Sequence, residues 1–257
     1  MQNDSIAEIP AAIQRVYEAG DDRLRAVAIS PAEGRCLQRI VGAQGVHTTL
    51  EIGCAYGLSS MFICDSLARK GGHCLHTIID PYQSSVFASH GLKNLQAAGL
   101  RCFELVEEPS ELALPRLLKS GARFDAALVD GYHTFDQTIL DLYYVTKLLR
   151  VGGYLALDDC NLPAVNRAAR YLLTYPCYRV VASTPHGSTP RAVFTGAKWV
   201  IATLLKPLTW ILGKLSYEFF DGSLIDARIL RVADTARMLV LQKVSEDERW
   251  AWWFEYL

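Results

Sequence analysis

From Thr48 onward, short runs of β-branched and apolar residues alternate with longer stretches whose apolar positions recur at helical spacing, an order that predicts a parallel sheet covered by helices. Strands are predicted over residues 48–53, 74–80, 101–107, 124–130 and 153–157, and helices over 58–70, 92–98, 111–119, 135–149 and 164–174. Residues 6–40 are also helical in pattern, interrupted at Ser30-Pro31, where a serine and a proline suit the N-cap and first turn of a new helix. Two more strands are expected over 178–183 and 238–244. The stretch between them is too apolar for a linker and reads as a helical, substrate-facing insertion. The result is one α/β domain over 1–257, divided into N-terminal helices (1–45), a core (46–183), an insertion or lid (184–237) and a last strand with its tail (238–257).

Composition narrows the partners. A chain of 257 residues with 51% hydrophobic content can bury one large core. Lys plus Arg total 26 against 27 for Asp plus Glu, so there is no basic field for a nucleic-acid backbone, and a small, roughly neutral molecule is the expected partner. Seven cysteines without a C-x-x-C pair, and a start (MQNDSIAEIP) without a secretory pattern, fit free thiols in a reducing, cytoplasmic setting. The apolar segment 198–215 is broken by Lys206 and Pro207 and fails as a membrane span, which needs ~20 uninterrupted apolar residues; lying on a membrane or capping a pocket suits it better. The aromatic tail 249–257 should be covered by its own core, by that segment or across a homo-oligomer.

The turn Glu51-Ile52-Gly53-Cys54-Ala55-Tyr56-Gly57-Leu58-Ser59 joins a buried strand to a helix. Glycines there let a ligand approach the backbone, and the helix offers unpaired N–H groups to a carboxylate. Its G-x-x-x-G spacing differs from the G-x-G-x-x-G of dinucleotide binders. The segment resembles class I S-adenosylmethionine-dependent methyltransferases, whose first motif is E/D-x-G-x-x-x-G after the first strand. That resemblance implies a Rossmann-like, seven-stranded, mostly parallel sheet with an antiparallel last strand, S-adenosylmethionine as cofactor, Glu51 toward its ammonium side, Gly53, Tyr56 and Gly57 around it, and Ser59 at its carboxylate. Asp80, ending the second strand, is placed to accept from both ribose hydroxyls, or is a helix-capping or turn aspartate before Pro81. Ser110 would contact adenine or N-cap the helix over 111–119.

Asp130 ends the fourth strand and Asp158-Asp159 the fifth. Carboxylates converging on one cleft repel one another unless a cation compensates them, which suggests a metal, and an all-oxygen set suits Mg²⁺ better than zinc. The phrase FDAALVDGYHTFDQTILDLYYVTKLLRVGGYLALDD is similar to metal-dependent O-methyltransferases of the catechol type and their antibiotic-biosynthesis relatives. By that resemblance Asp130, Asp158 and Asp159 hold the metal, Asp130 also borders the cofactor, and the Val151-Gly152-Gly153 turn precedes strand five. The chain departs from the catechol pattern by carrying Asp158-Asp159 where Asp-Asn is usual. His133, three residues past Asp130, is the candidate base for the acceptor hydroxyl, or else caps the following helix.

The expected activity is methylation of a phenol or sugar hydroxyl in secondary metabolism. Alternatives are a metal-independent O- or N-methyltransferase, a nicotinamide-dependent oxidoreductase, which the glycine spacing disfavours, and a non-catalytic adenosyl-binding subunit. His73, His76, His90 and His186 have no evident partners and read as structural or surface residues.

Overall fold

The computed structural model describes residues 10–185, 233 and 235–249. Three helices come first, α1 (Ala11–Ala19), α2 (Asp22–Val27) and α3 (Pro31–Gly42). There follow β1 (Thr48–Ile52), α4 (Leu58–Lys70), β2 (Leu75–Ile79), α5 (His90–Ala97), β3 (Phe103–Val106), α6 (Ser110–Lys119), β4 (Phe124–Val129), α7 (Phe135–Leu148), β5 (Leu149–Leu157), α8 (Pro163–Leu172), β6 (Tyr178–Pro185) and β7 (Ala236–Lys243). The seven strands form one sheet in the order β3-β2-β1-β4-β5-β7-β6, with β7 antiparallel to both β5 and β6.

Alternation along the strands builds two cores. Leu50, Ile52, Val129, Leu155 and Leu157 face α6, α7 and α8, whereas Ile78, Leu128, Ala156 and Val240 face α3 and α4. The N-terminal layer forms as its pattern predicts. Ser30 and Glu33 close a capping box over Pro31, and Gly34 lies so close to Phe62 that a Cβ would stand 2.2 Å from its ring.

Parallel register sets the site. Ile52 pairs with Ile79 and with Val129, and Val129 pairs with Leu157. Gly53, Asp80, Asp130 and Asp158 are therefore the next residues in one row, each still bonded to the neighbouring strand: Gly53 N to Ile79 O (2.9 Å), Asp80 N to Val106 O (3.2 Å), Asp130 N to Ile52 O (2.9 Å) and Asp158 N to Val129 O (3.1 Å). This is the carboxyl edge of an open α/β sheet, where ligands bind.

Two expectations change. The Val151-Gly152-Gly153 segment is not a turn before the fifth strand but part of β5, which starts at Leu149 and shifts register against β4 between Phe124 and Ala126; Gly152, at φ +89°, takes up the irregularity. The helix expected over 92–98 begins earlier, at His90. The insertion over 184–237 lies outside the described residues apart from its ends, where Thr184 and Pro185 finish β6 and Ala236 opens β7. The apolar segment 198–215, His186 and the tail beyond Arg249 also lie outside the described residues. Among the described residues, no helix is long and apolar enough to cross a membrane.

Candidate active site

A cleft of about 520 Å³ opens over the carboxyl edge and is lined on one side by residues 26–29 of the N-terminal layer. Gly53, Tyr56, Ser59, Asp80, Ser110 and Asp130 line it, together with Gly57's neighbour Leu58.

Its first half is a backbone cradle. Gly53 (φ +89°) and Gly57 (φ +81°) are left-handed, where a side chain is strained, and each is also crowded: a Cβ on Gly53 would lie 2.0 Å from Asp130 O, one on Gly57 2.8 Å from Gly91 O. The Gly57 N-cap makes no side-chain cap, so the first turn of α4, with Ser59 in it, presents N–H groups to the cleft.

Asp80 holds this cradle more than it faces a ligand. Its Oδ2 accepts from Cys54 N (3.0 Å), Ala55 N (2.9 Å) and Gln83 Nε2 (2.9 Å), and its Oδ1 from Tyr82 N (2.8 Å). Only Oδ1 keeps room for another donor, so a bond to both ribose hydroxyls from separate oxygens is replaced by at most one contact. Of the two sequence readings of Asp80, these contacts match that of a turn aspartate.

Glu51 is a correction. Opposite Ile78 and Leu128 in register, it points away from the cleft toward α4, and its fully buried carboxylate receives Ser60 Oγ and pairs with His76 Nε2 at 2.8 Å. His76, whose Nδ1 meets Thr49 Oγ1 at 2.9 Å, has the partners that sequence reading did not find. Ser110 does not N-cap α6; it is that helix's first residue, and its Oγ accepts from Gln137 Nε2 at 2.8 Å. Beside it, burial pushes the Asp141 carboxyl up to about 6.

The second half of the cleft is acidic. His133 Nε2 lies 3.1 Å from Asp130 Oδ1 and 3.5 Å from Asp159 Oδ2, and one ligand atom from each of these three residues falls within 4.8 Å of the others. His133 (φ +54°) and Asp159 (φ +52°) are both left-handed, a conformation costing of order 1 kcal/mol that folded proteins concentrate at functional sites. Burial raises the Asp130 carboxyl to about 6, against the opposing pull of His133. The hydrogen bond that Asp130 accepts in turn raises the His133 imidazole above its ordinary value, outweighing burial.

Asp158 stands apart from the expected metal set. It lines the cleft but is outside the three-residue cluster, with Oδ1 buried and unbonded, and burial followed by Asp130 and Glu33 raises its carboxyl well above the usual range. His133 takes its place near the other two acids.

Arg237 was missed. From the start of β7 its Nε reaches Glu33 Oε1 at 3.0 Å and Asp159 Oδ1 at 3.7 Å, inside the cleft. Burial works against its charge, but Glu33, Asp158, Asp159 and Asp130 together outweigh that and hold it more firmly protonated. No local spacing marks an arginine 204 residues after its partner Glu33 in the chain.

Residues 50–160 match the family model of a methyltransferase domain. No curated protein matches the chain. Among solved structures, an O-methyltransferase from Bacillus cereus in complex with SAH is similar at 18% identity and TM-score 0.60, covering 71% of this chain and 88% of that one. The O-methyltransferase TomG from Streptomyces achromogenes, involved in tomaymycin synthesis and bound to SAM, has 21% identity and TM-score 0.57 over 69% of this chain and 85% of its own. The SAH-bound methyltransferase PaMTH1 of Podospora anserina has 17% identity and TM-score 0.57 over 67% and 83%. The matched residues span the cradle and both acidic strand ends, and the strand order gives the chain the Rossmann-like fold of the methyltransferases it resembles.

Proposed function

We propose that the chain methylates a hydroxyl oxygen of a small molecule, a phenol or a sugar, with His133 as proton acceptor and a divalent cation, Mg²⁺, at Asp130 and Asp159. The observation that carries this reading is His133 Nε2 seated between those two carboxylates at 3.1 and 3.5 Å, on the floor of the cleft that holds the glycine cradle. The O-methyltransferases among the structural neighbours support the choice of oxygen.

When bound, S-adenosylmethionine supplies an electrophilic methyl carbon whose bonding pair stays with sulfur as the new bond to oxygen forms. The cradle's task is alignment: Gly53 and Gly57 admit the cofactor against the backbone, the first turn of α4 with Ser59 takes its carboxylate, and Tyr56 and Ser110 border its other parts. His133 takes the hydroxyl proton as oxygen attacks. Asp130 orients the ring and raises its proton affinity, so His133 accepts a proton only after losing its own, which favours higher pH than a free imidazole would need. Residues 26–29 add an apolar wall to the cleft.

The donor set fits a hard cation: two carboxylates with open positions for water and acceptor oxygens are how Mg²⁺ is commonly held, and such an ion would lower the acceptor hydroxyl's pKa. Asp158, with an unbonded buried oxygen beside the pair, adds negative potential. One observation favours a metal-free variant of the same reaction: Arg237 already places a cation 3.7 Å from Asp159.

Methyl transfer from labelled S-adenosylmethionine to a panel of catechols, simple phenols and sugars, run with added Mg²⁺ and with a chelator, tests both parts. Transfer that the chelator suppresses and Mg²⁺ restores supports the reading; transfer indifferent to chelation leaves Arg237 as the counter-charge; transfer confined to nitrogen acceptors refutes it.

A further inference from the structure

A second cavity, of about 470 Å³, lies on the far side of the cofactor loop between α1, α2 and α5, and Tyr56 lines both it and the methyltransferase cleft. Its charge is opposite to that of the cleft. Arg15 from α1 and Arg23 from α2 line it, and among the described residues no hydrogen bond or ion pair engages either guanidinium. The lining's one acid, Asp21, uses Oδ1 on the backbone N–H groups of Arg23 and Leu24, both at 3.0 Å, as the N-cap of α2. His90 adds an imidazole lying nearly parallel to the Tyr56 ring (centroids 6.0 Å apart, planes at 20°). Small residues, Ala12, Ala19, Gly20 and Ala97, leave the space between these groups open.

In the cleft, by contrast, Asp80, Glu111, Asp130, Asp158 and Asp159 face only Arg237 and His133. An anion reaching this end of the sheet is repelled by the acids and attracted by the two arginines. Guanidinium groups in pairs match the planar, multi-oxygen acceptors of phosphates, and a flat imidazole face suits a ring next to them.

We propose that the second cavity is a binding site for a phosphate monoester carried on a planar ring, held by Arg15 and Arg23 with the ring against His90. The phosphate arrives in one of two ways, as a separate metabolite or as the far end of an acceptor whose hydroxyl passes Tyr56 into the cleft.

Calorimetric titration of phenyl phosphate into the full chain, before and after saturation with S-adenosylhomocysteine, tests the site without any methyl transfer. Both arginines are exposed, so R15Q/R23Q should fold and bind S-adenosylhomocysteine as the parent does. Saturable binding that persists with S-adenosylhomocysteine present and weakens at least about tenfold in R15Q/R23Q supports the proposal. Absence of binding to the parent, equal binding to R15Q/R23Q, or displacement by S-adenosylhomocysteine overturns it. A parallel comparison of a phosphorylated and a neutral catechol as acceptors separates the two sources: a preference for the phosphorylated one that R15Q/R23Q abolishes identifies the far end of the acceptor, and binding of phenyl phosphate without such a preference identifies a separate metabolite.

Discussion

Asp80 and Asp130 each follow the last residue of a strand in the same register row, yet their surroundings treat them in opposite ways. Asp80 accepts four hydrogen bonds, three of them from backbone N–H groups. Asp130 meets one imidazole, with Asp159 and Asp158 crowding it, and its carboxyl is pushed up to about 6. A carboxylate given enough donors becomes architecture; one left short of them, beside others equally short, stores the electrostatic demand that a proton, a cation or a substrate can answer.

Removing the imidazole breaks this contrast on its reactive side. His133→Ala should lower kcat by about 10²–10⁴ while leaving S-adenosylhomocysteine affinity within a few-fold, measured by labelled methyl transfer alongside calorimetry. A matching fall in cofactor affinity would mean that His133 supports the cradle instead. On the architectural side, Asp80→Ala leaves two loop N–H groups and Gln83 without their acceptor, at about 1–3 kcal/mol for each buried donor. Denaturant unfolding should therefore show a loss of at least about 3 kcal/mol, with S-adenosylhomocysteine binding weakened too. An unchanged midpoint would show that the loop stands without Asp80.

Asp141 offers an intermediate case, a buried carboxyl near the cleft that is raised to about 6 yet lies outside the reactive cluster. Between the ordinary carboxylate value and 6 the native state keeps a proton that the unfolded chain has released. The stability this gives is complete in acid and is lost as pH rises through 6. Asp141→Asn should remove that dependence and stabilise the protein at pH 7–8 by up to about 3 kcal/mol, read from unfolding curves at several pH values. A variant less stable than the parent at pH 8 would contradict the assignment. The smallest effect expected is on the pH profile. The rate should rise with pH through a midpoint above 6.5, and Asp130→Asn, which removes the main cause of the shift, should move the remaining activity's midpoint back toward 6.5.

Much of this was legible in the chain. Alternating strand and helix patterns placed Asp80, Asp130 and Asp158 at strand ends, and parallel pairing then aligns them. Gly53 and Gly57 were legible because their backbone conformation excludes side chains. What could not be read depended on direction and distance. Strand pleating turns Glu51 away from the cleft and onto His76, a pairing set by the register between β1 and β2. The exchange of Asp158 for His133 in the cluster reflects the left-handed turns at 133 and 159, which no residue type announces. Arg237 meets Glu33 only because β7 inserts between β5 and β6, bringing its first residues beneath α3.

The division of labour between the two carboxylates is tested most directly by titrating S-adenosylhomocysteine into the parent, Asp80→Ala and Asp130→Asn in a calorimeter. The account predicts saturable one-to-one binding to the parent, clear weakening in Asp80→Ala and near-parent affinity in Asp130→Asn. No binding to the parent, or an affinity lost with Asp130 and kept without Asp80, would contradict it.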